Sequence, residues 1–500
     1  MAKSSAILPL AIITPDPSSS VPLYRQLYEK IRDAILTKQI KAGSRLPSTR
    51  ELSNDLGISR NTVINAFEQL LAEGYIEGKI GAGTYVAKLL TDELLKIHTK
   101  LSQTLRIDTA PVLSQQGAVF KAIRGTMLRN QHERPRAFRP GVPALNAFPI
   151  KVWTRLVSRH WQQSPHELLG YGDPAGYRPL RELIADHLKS TRALHCQAEQ
   201  IIIVSGTQQA LDLAVRVLLN PGDTTWIEDP GYLGIRAVLL SANAHIVPVP
   251  VDSEGLNVTE GISRNSNARL VCVSPSHQYP LGVTMSLARR LALLEWASRS
   301  GAWVLEDDYD SEYRYAGRPL AALQGLDNDE RVIYIGTFSK VLFPSLRLGY
   351  MVVPPKLVDT FTAARAITDR HSPLLEQAVL ADFIDEGHFT RHIRNMRMLY
   401  AERQEALIQA AQDLAEFLDV QPASTGLHLM GWLSSGLDEQ VVSQYAAEVD
   451  VEVQPLSMYS IETFPSQGLL LGYAAVDLHQ IREGIHRLRS AMYTAKKACL

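Results

Sequence analysis

Ile201-Ile202-Ile203-Val204-Ser205-Gly206-Thr207-Gln208-Gln209-Ala210 is a run of four branched apolar residues that breaks into a hydroxyl–glycine–hydroxyl turn and opens a helix. Four such residues without alternation read as a strand buried on both faces. Backbone N–H groups at a helix start, beside a glycine and two hydroxyls, make an anion cradle; a plain helix cap is an equal reading of this turn alone. Similar short strands follow at Thr225–Ile227, Ile246–Val249, Leu270–Val273, Trp303–Leu305 and Val332–Ile335. Helical patterns at 208–219, 286–299 and 375–386 separate them. Such alternation predicts an α/β fold with a mostly parallel sheet covered on both faces, whose ligands sit where strands end.

The residues just past those strands carry the chemistry. Tyr232 stands on a turn after Trp226-Ile227, and Asp307-Asp308-Tyr309 ends the Trp303 strand. Thr337-Phe338-Ser339-Lys340 follows Ile335, with Arg347 seven residues on. Buried acids at a strand end are costly without a cation. A lysine among small residues has an amine that attacks aldehydes once its pKa is lowered. Singly, Asp307 reads equally as a helix cap, Tyr232 as a core aromatic and Lys340 as a surface lysine. Together they ask for one ligand with an aldehyde, a basic ring nitrogen, a flat ring and a phosphate, and pyridoxal 5′-phosphate (PLP) has all four.

The first ninety residues have another texture. Residues 1–20 are Ser/Pro-rich and read as a flexible tail. Leu23, Leu27, Ile31, Ala34 and Ile35 predict an amphipathic helix over 22–38. Pro47-Ser48-Thr49 starts a second helix that stops at Gly57, and Ser59 caps a third that ends at Gly74. Tyr75–Glu77 and Thr84–Val86 flank a turn holding Gly78, Gly81 and Gly83, which predicts a hairpin. Three helices and a hairpin make a winged helix-turn-helix over 21–89, whose third helix would enter a DNA major groove with Ser59-Arg60-Asn61-Thr62 leading. Ten Lys/Arg stand against seven Asp/Glu over 21–88, and Arg45, Ser48, Arg50 and Lys79 fall at helix starts and the wing. A helical protein-interaction module with solvated charges is the competing reading. Residues 90–135 read as a partly helical linker without steady period, and 136–500 as the large domain.

The chain has 500 residues, too many for one core. With 45% hydrophobic and 21% charged residues it is neither disordered nor collagen-like. A net charge of −1 confines any nucleic-acid affinity to a local patch. Cys196, Cys272 and Cys499 are too scattered for a disulfide framework or zinc site, which fits a reducing cytoplasm. No apolar run suggests a membrane span, and Ala6–Ile13, broken by Pro9, is a poor secretion signal. No metal site is expected.

The N-terminal segments Leu46-Pro47-Ser48-Thr49-Arg50-Glu51-Leu52, Ser59-Arg60-Asn61-Thr62-Val63 and Gly81-Ala82-Gly83-Thr84-Tyr85-Val86 resemble the GntR family of bacterial winged-helix repressors and activators. That resemblance implies Arg50, Arg60 and the glycine wing as contacts to an operator DNA duplex. Ile64 stands where some members have an arginine. About 350 residues, with Tyr171-Gly172-Asp173-Pro174-Ala175-Gly176-Tyr177, Ser205-Gly206-Thr207, Ser274–Gly282, Asp307-Asp308-Tyr309 and Ser339-Lys340, resemble the fold-type I aminotransferases. The resemblance implies Lys340 as the internal aldimine, Asp307 as pyridinium partner, Tyr309 on the ring hydroxyl and Tyr232 stacked on the ring. It implies Ser205, Gly206, Thr207, Thr337, Ser339 and Arg347 around phosphate. It also implies a homodimer, in which a tyrosine near Tyr171 reaches the partner's phosphate.

The fusion, with His277–Gly282 and Glu306–Tyr315, is similar to the MocR/GabR subfamily of GntR regulators. The implied function is PLP-dependent transcriptional regulation, sensing a small amine, amino acid or B6 vitamer through Lys340. Three departures bear on the effector. Gly468–Tyr473 holds no arginine where enzymes grip an α-carboxylate, Tyr279-Pro280-Leu281-Gly282 replaces Asn-Pro-x-Gly, and Gly234 stands where γ-aminobutyrate binders have an arginine. The competing functions are an active aminotransferase and a structural fusion that binds no PLP.

Overall fold

A computed structural model describes residues 13–79, 83–88, 113–127, 136–163, 166–315 and 320–498. The expected wing residue Gly81, the apolar residues 90–97 and Cys499 lie outside them. The chain divides into two compact units, Met1–Val112 and Leu113–Leu500.

In the first unit, helix α1 (Leu23–Leu36) buries Leu27, Ile31, Ala34 and Ile35 against α2 (Thr49–Leu56) and α3 (Arg60–Ala72). Ser48 closes a capping box on α2: its Oγ accepts from Glu51 N at 3.2 Å, and Glu51 Oε2 accepts from Ser48 N. Gly57 ends the helix left-handed at φ 65°. Val63, Ala66, Phe67 and Leu70 give α3 its buried stripe. Strands β1 (Ile76–Lys79) and β2 (Gly83–Val86) pair antiparallel, Ile76 opposite Val86 and Lys79 opposite Gly83. Ile76 and Val86 join the helical core while the outer ends of the strands stay exposed.

The second unit opens with α4 (Gln115–Met127), inside the stretch expected as linker, which packs on a helix of the large domain. Helices α5 (Ile150–Gln163) and α6 (Arg178–Arg192) follow. Then come β3 (Ile201–Val204), α7 (Thr207–Leu218), β4 (Thr224–Asp229), α8 (Leu233–Ser241), β5 (His245–Asp252) and β6 (Gly255–Leu256). After them run β7 (Leu270–Val273), α9 (Leu287–Ser300), β8 (Trp303–Asp308), β9 (Val332–Thr337) and β10 (Gly349–Val352). The eight strands lie in the order β3-β10-β9-β8-β7-β4-β5-β6. Pairing is parallel from β9 through β8, β7 and β4 to β5, as expected. Strand β10, unread from the sequence, inserts antiparallel between β9 and β3.

Alternation along β3 shows why the sheet reads as continuous apolar runs. Ile201 and Ile203 enter one core with α6, while Ile202 and Val204 enter the opposite core with α7 and α8. Each such fully buried side chain contributes roughly 1.5–3 kcal/mol. Beyond the sheet, α10 (Val358–Asp369), α11 (Leu374–Asp385) and α12 (His388–Ala411) lead to a second, antiparallel sheet. It contains β11 (Leu418–Val420), β12 (His428–Leu433), β13 (Gln454–Pro455) and β14 (Gly468–Gly472). Helices α13 (Glu439–Glu448) and α14 (Leu478–Ala498) cover it. Among the described residues no helix is long and apolar enough to cross a membrane.

Candidate functional site

The carboxyl ends of β3, β4, β8 and β9 open on a cavity of about 230 Å³. Thr207, Tyr232, Asp307, Tyr309, Thr337, Ser339, Lys340 and Arg347 all line it, so the residues singled out at separate strand ends come together. Ser205 and Gly206 are not among its lining residues. The Ser205 hydroxyl lies 3.5 Å from that of Ser372, and Gly206 adopts φ 105°. A Cβ on Gly206 would stand 3.4–3.6 Å from the Arg347 guanidinium. Backbone at the N-terminus of α7 and the Arg347 cation thus face one small space, as an anion requires.

Lys340 Nζ donates to the Gly141 carbonyl at 2.7 Å. Burial holds its amine below the ordinary lysine range, although Asp310 and Asp307 pull the other way. Asp307 is pushed up to about 7, first by burial and then by Asp308 and Asp310. Its Oδ1 is buried without a hydrogen-bond partner, and so is Ser339 Oγ. Unpaired buried polar atoms are costly, and these two aim at what a ligand must supply: a cationic N–H for the carboxyl and an acceptor for the hydroxyl. Tyr232 donates to Gln208 Oε1 at 3.4 Å, leaving its ring as a cavity wall. The Tyr309 hydroxyl lies 3.0 Å from His277 Nδ1, which is also 2.9 Å from Asp310 Oδ2. These residues fit the four demands of PLP: amine, carboxyl, flat aromatic wall and anion cradle.

The sequence did not point to Pro140, Gly141, Gln208, Leu427, His428 and Gln454 as wall residues. Gln208 was in plain view, next to Thr207. The others come from loops and the second sheet, which only folding brings here. The departures also have structural counterparts. A Cβ on Gly234 would fall 2.3 Å from the Tyr232 ring and 2.4 Å from Gln208 Oε1, so a long side chain there would displace both. Tyr473 is fully buried, donating to the Gly426 carbonyl at 2.7 Å. Tyr171 is 86% exposed, with the Arg370 guanidinium 5.1 Å above its ring.

On the first unit, Ser48, Arg50, Ser59, Arg60, Asn61, Lys79 and Gly83 are exposed, and Arg45 and Thr62 half-buried. The two serines are partly committed as caps, Ser59 Oγ accepting from Asn61 N at 3.2 Å. Lys79 lies 5.2 Å above the Tyr85 ring and 3.6 Å from Glu77. Gly83, at φ 106°, makes room for Arg45, whose guanidinium would stand 3.1–3.6 Å from a Cβ there.

A winged helix ahead of this α/β domain defines a GntR-type regulator carrying an aminotransferase-like domain. Residues 23–86 match the family of bacterial regulatory proteins of the gntR type, and residues 143–488 match aminotransferase class I and II. The chain is 45% identical over 478 residues, 95% of both chains, to the "Probable rhizopine catabolism regulatory protein MocR" of Rhizobium meliloti. It is 31% identical, over 95% of this chain and 97% of the other, to the pyridoxine biosynthesis regulator PdxR of Corynebacterium glutamicum. Kynurenine aminotransferase of Pyrococcus horikoshii, solved with PMP, superimposes with a TM-score of 0.67 at 28% identity, covering 80% of this chain and all but 1% of that one. The chain belongs to the aminotransferase class I and II family, in the branch of GntR-type transcriptional regulators that carry this domain.

Proposed function

We propose that the protein is a PLP-dependent transcriptional regulator that binds an operator duplex and senses a small amine, amino acid or B6 vitamer. The observation that carries this reading is the gathering of Lys340, the unpaired Asp307 carboxyl and the Arg347–Gly206 cradle in one cavity. When bound, PLP supplies an aldehyde that condenses with amines. Lys340 would offer its desolvated amine to the aldehyde, and Asp307 would hold a proton on the ring nitrogen. Tyr309 would bond the ring hydroxyl and Tyr232 would cover the ring. Thr207, Thr337, Ser339 and Arg347, with the backbone of Ser205 and Gly206, hold the phosphate. Arg45, Ser48, Arg50, Ser59, Arg60, Asn61, Thr62, Lys79, Gly81 and Gly83 form the DNA-reading face, α3 entering the major groove. The working form is a cytoplasmic homodimer.

The test is direct. Purified protein incubated with PLP should absorb at the edge of the visible and bind duplex DNA, and Lys340→Ala should abolish that band. A colourless protein sinks the proposal. Because Lys340, Asp307 and Tyr309 are all in place, an active aminotransferase is the second reading. Steady turnover of an amino donor with a 2-oxoacid would favour it.

A further inference from the structure

The cofactor reading accounts for the anion cradle, Asp307 and Lys340, but not for the rest of the cavity wall. Tyr279, His428 and Gln454 form one patch there. The Tyr279 and His428 rings are 5.3 Å apart, and the Tyr279 hydroxyl is 3.0 Å from that of Tyr459. Tyr459 in turn donates to Gln454 Oε1, so the Gln454 amide nitrogen is left as a donor. His428 Nε2 faces the Pro280 carbonyl at 3.2 Å and must carry the proton, so the ring offers only the lone pair of Nδ1. Burial and neighbouring His277 hold His428 well below its ordinary pKa, and the ring is neutral. Because Tyr459 spends its one hydrogen on Gln454, Tyr279 donates to Tyr459 and keeps only its lone pairs for the cavity. The patch therefore presents one donor, the Gln454 amide, and two acceptors, His428 Nδ1 and the Tyr279 oxygen, with no charge.

Among the described residues lining the cavity, the cations are Lys340 and Arg347, and the cofactor reading assigns Arg347, beside Gly206, to the phosphate. Arg139, just before the wall residue Pro140, is ion-paired with Glu452 at 3.4 Å. The nearby acids Asp307 and Asp310 act on Lys340, and neither supplies a counterion to a carboxylate. A carboxylate placed against Tyr279, His428 and Gln454 would lose its water, face a histidine lone pair and gain no counterion. A hydroxyl, which donates and accepts, matches all three groups.

We infer that this half of the cavity takes a primary amine that carries hydroxyl groups and no carboxylate or sulfonate. The inference rests on the cofactor reading above, because the amine is recognised through the aldehyde at Lys340, and it narrows that reading to one chemical class of ligand.

The test uses the full chain loaded with PLP and two matched pairs of amines. Serinol, which is serine with its carboxylate reduced to a hydroxymethyl group, is compared with serine, and ethanolamine with glycine. The readouts are the change in the visible-edge band and the thermal midpoint of the loaded protein. Serinol and ethanolamine should bind at least about tenfold more tightly than their carboxylated partners. Gln454→Arg, which adds the missing cation, should reverse the order. Equal or tighter binding of serine and glycine overturns the inference while leaving the cofactor reading intact, and so does silence toward all four amines. A protein that acquires no band with PLP defeats the cofactor reading itself, and the ligand class falls with it.

Discussion

Asp307 has a buried carboxyl oxygen that only a ligand in the cavity would pair. With its Oδ1 unpaired and its pKa near 7, it is raised from an ordinary 3.8. A raised folded-state pKa means the folded chain binds the extra proton, so this group stabilises the fold below about pH 4 and the benefit disappears as pH rises through 7. Asp307→Asn keeps the shape and removes the titration. The ligand-free variant should therefore match the parent near pH 4 and be more stable at pH 8 by roughly 2–4 kcal/mol. Melting curves at both pH values, with and without PLP, check this. With PLP present the order at pH 8 should invert, because a ring N–H⁺ gives the ionised carboxylate its partner and the amide gives none. A parent that is already the more stable form at pH 8 without PLP would remove the argument. At this scale the sequence pointed to several cavity-lining residues that follow strand ends, Tyr232, Asp307 and Lys340 among them, but passed over Gln208. It was silent on Gly141, His428 and Gln454, which reach the same cavity from segments 199 residues before Lys340 or 88 and more after it.

The elements differ in how openly they are written. Helix α2 announces both ends, Ser48 with Glu51 three residues on and Gly57 in the left-handed region, and it folds as read. Ser48→Ala removes the capping box and should cost the first unit about 1 kcal/mol, visible in a denaturant titration of the full chain. Helix α3 carries the base-reading prediction. Arg60 is exposed in its first turn, so Arg60→Ala should weaken operator binding by roughly 1–3 kcal/mol and relax base preference. Lys79 sits on the wing over Tyr85, so Lys79→Ala should weaken all sequences alike and flatten the salt dependence. Equal losses on specific and random DNA for both variants would remove α3 from the groove. Two elements were illegible for physical reasons. The apolar run Gly349–Val352 does not encode strand direction, and only its neighbours β3 and β9 make β10 antiparallel. The residues 115–127 include Gly117 and Gly125 and leave Phe120 half exposed, so among the described side chains α4 shows no buried stripe to generate a period.

Helix α4 matters because it is the part of the large unit nearest in sequence to the DNA-binding unit. It packs on α8, and between them lies a groove of about 770 Å³ lined by Phe120, Ile123, Ala237 and Val238. Gln208 and Arg347 line both this groove and the cofactor cavity, and α8 begins one residue after Tyr232, which donates to Gln208. On the proposed sensing role, a ligand that moves Tyr232 or Gln208 would therefore change the surface on which α4 rests. Coupling of this kind requires the ligand to favour one seating of α4 over another, and allosteric couplings are typically worth about 1–3 kcal/mol. Phe120→Asp with Ile123→Asp places two carboxylates in the groove that Ala237 and Val238 also line and should unseat the helix without touching the cavity wall. The doubly substituted protein should keep its visible-edge band with PLP and its affinity for operator DNA in the absence of ligand. The ligand-dependent change in that affinity should shrink to less than about twofold. DNA titrations with and without serinol, run beside the parent, measure it, and limited proteolysis within 113–127 reports whether the helix has come loose. A variant whose helix is cut readily yet whose DNA binding still answers the ligand in full would show that the signal travels by another route.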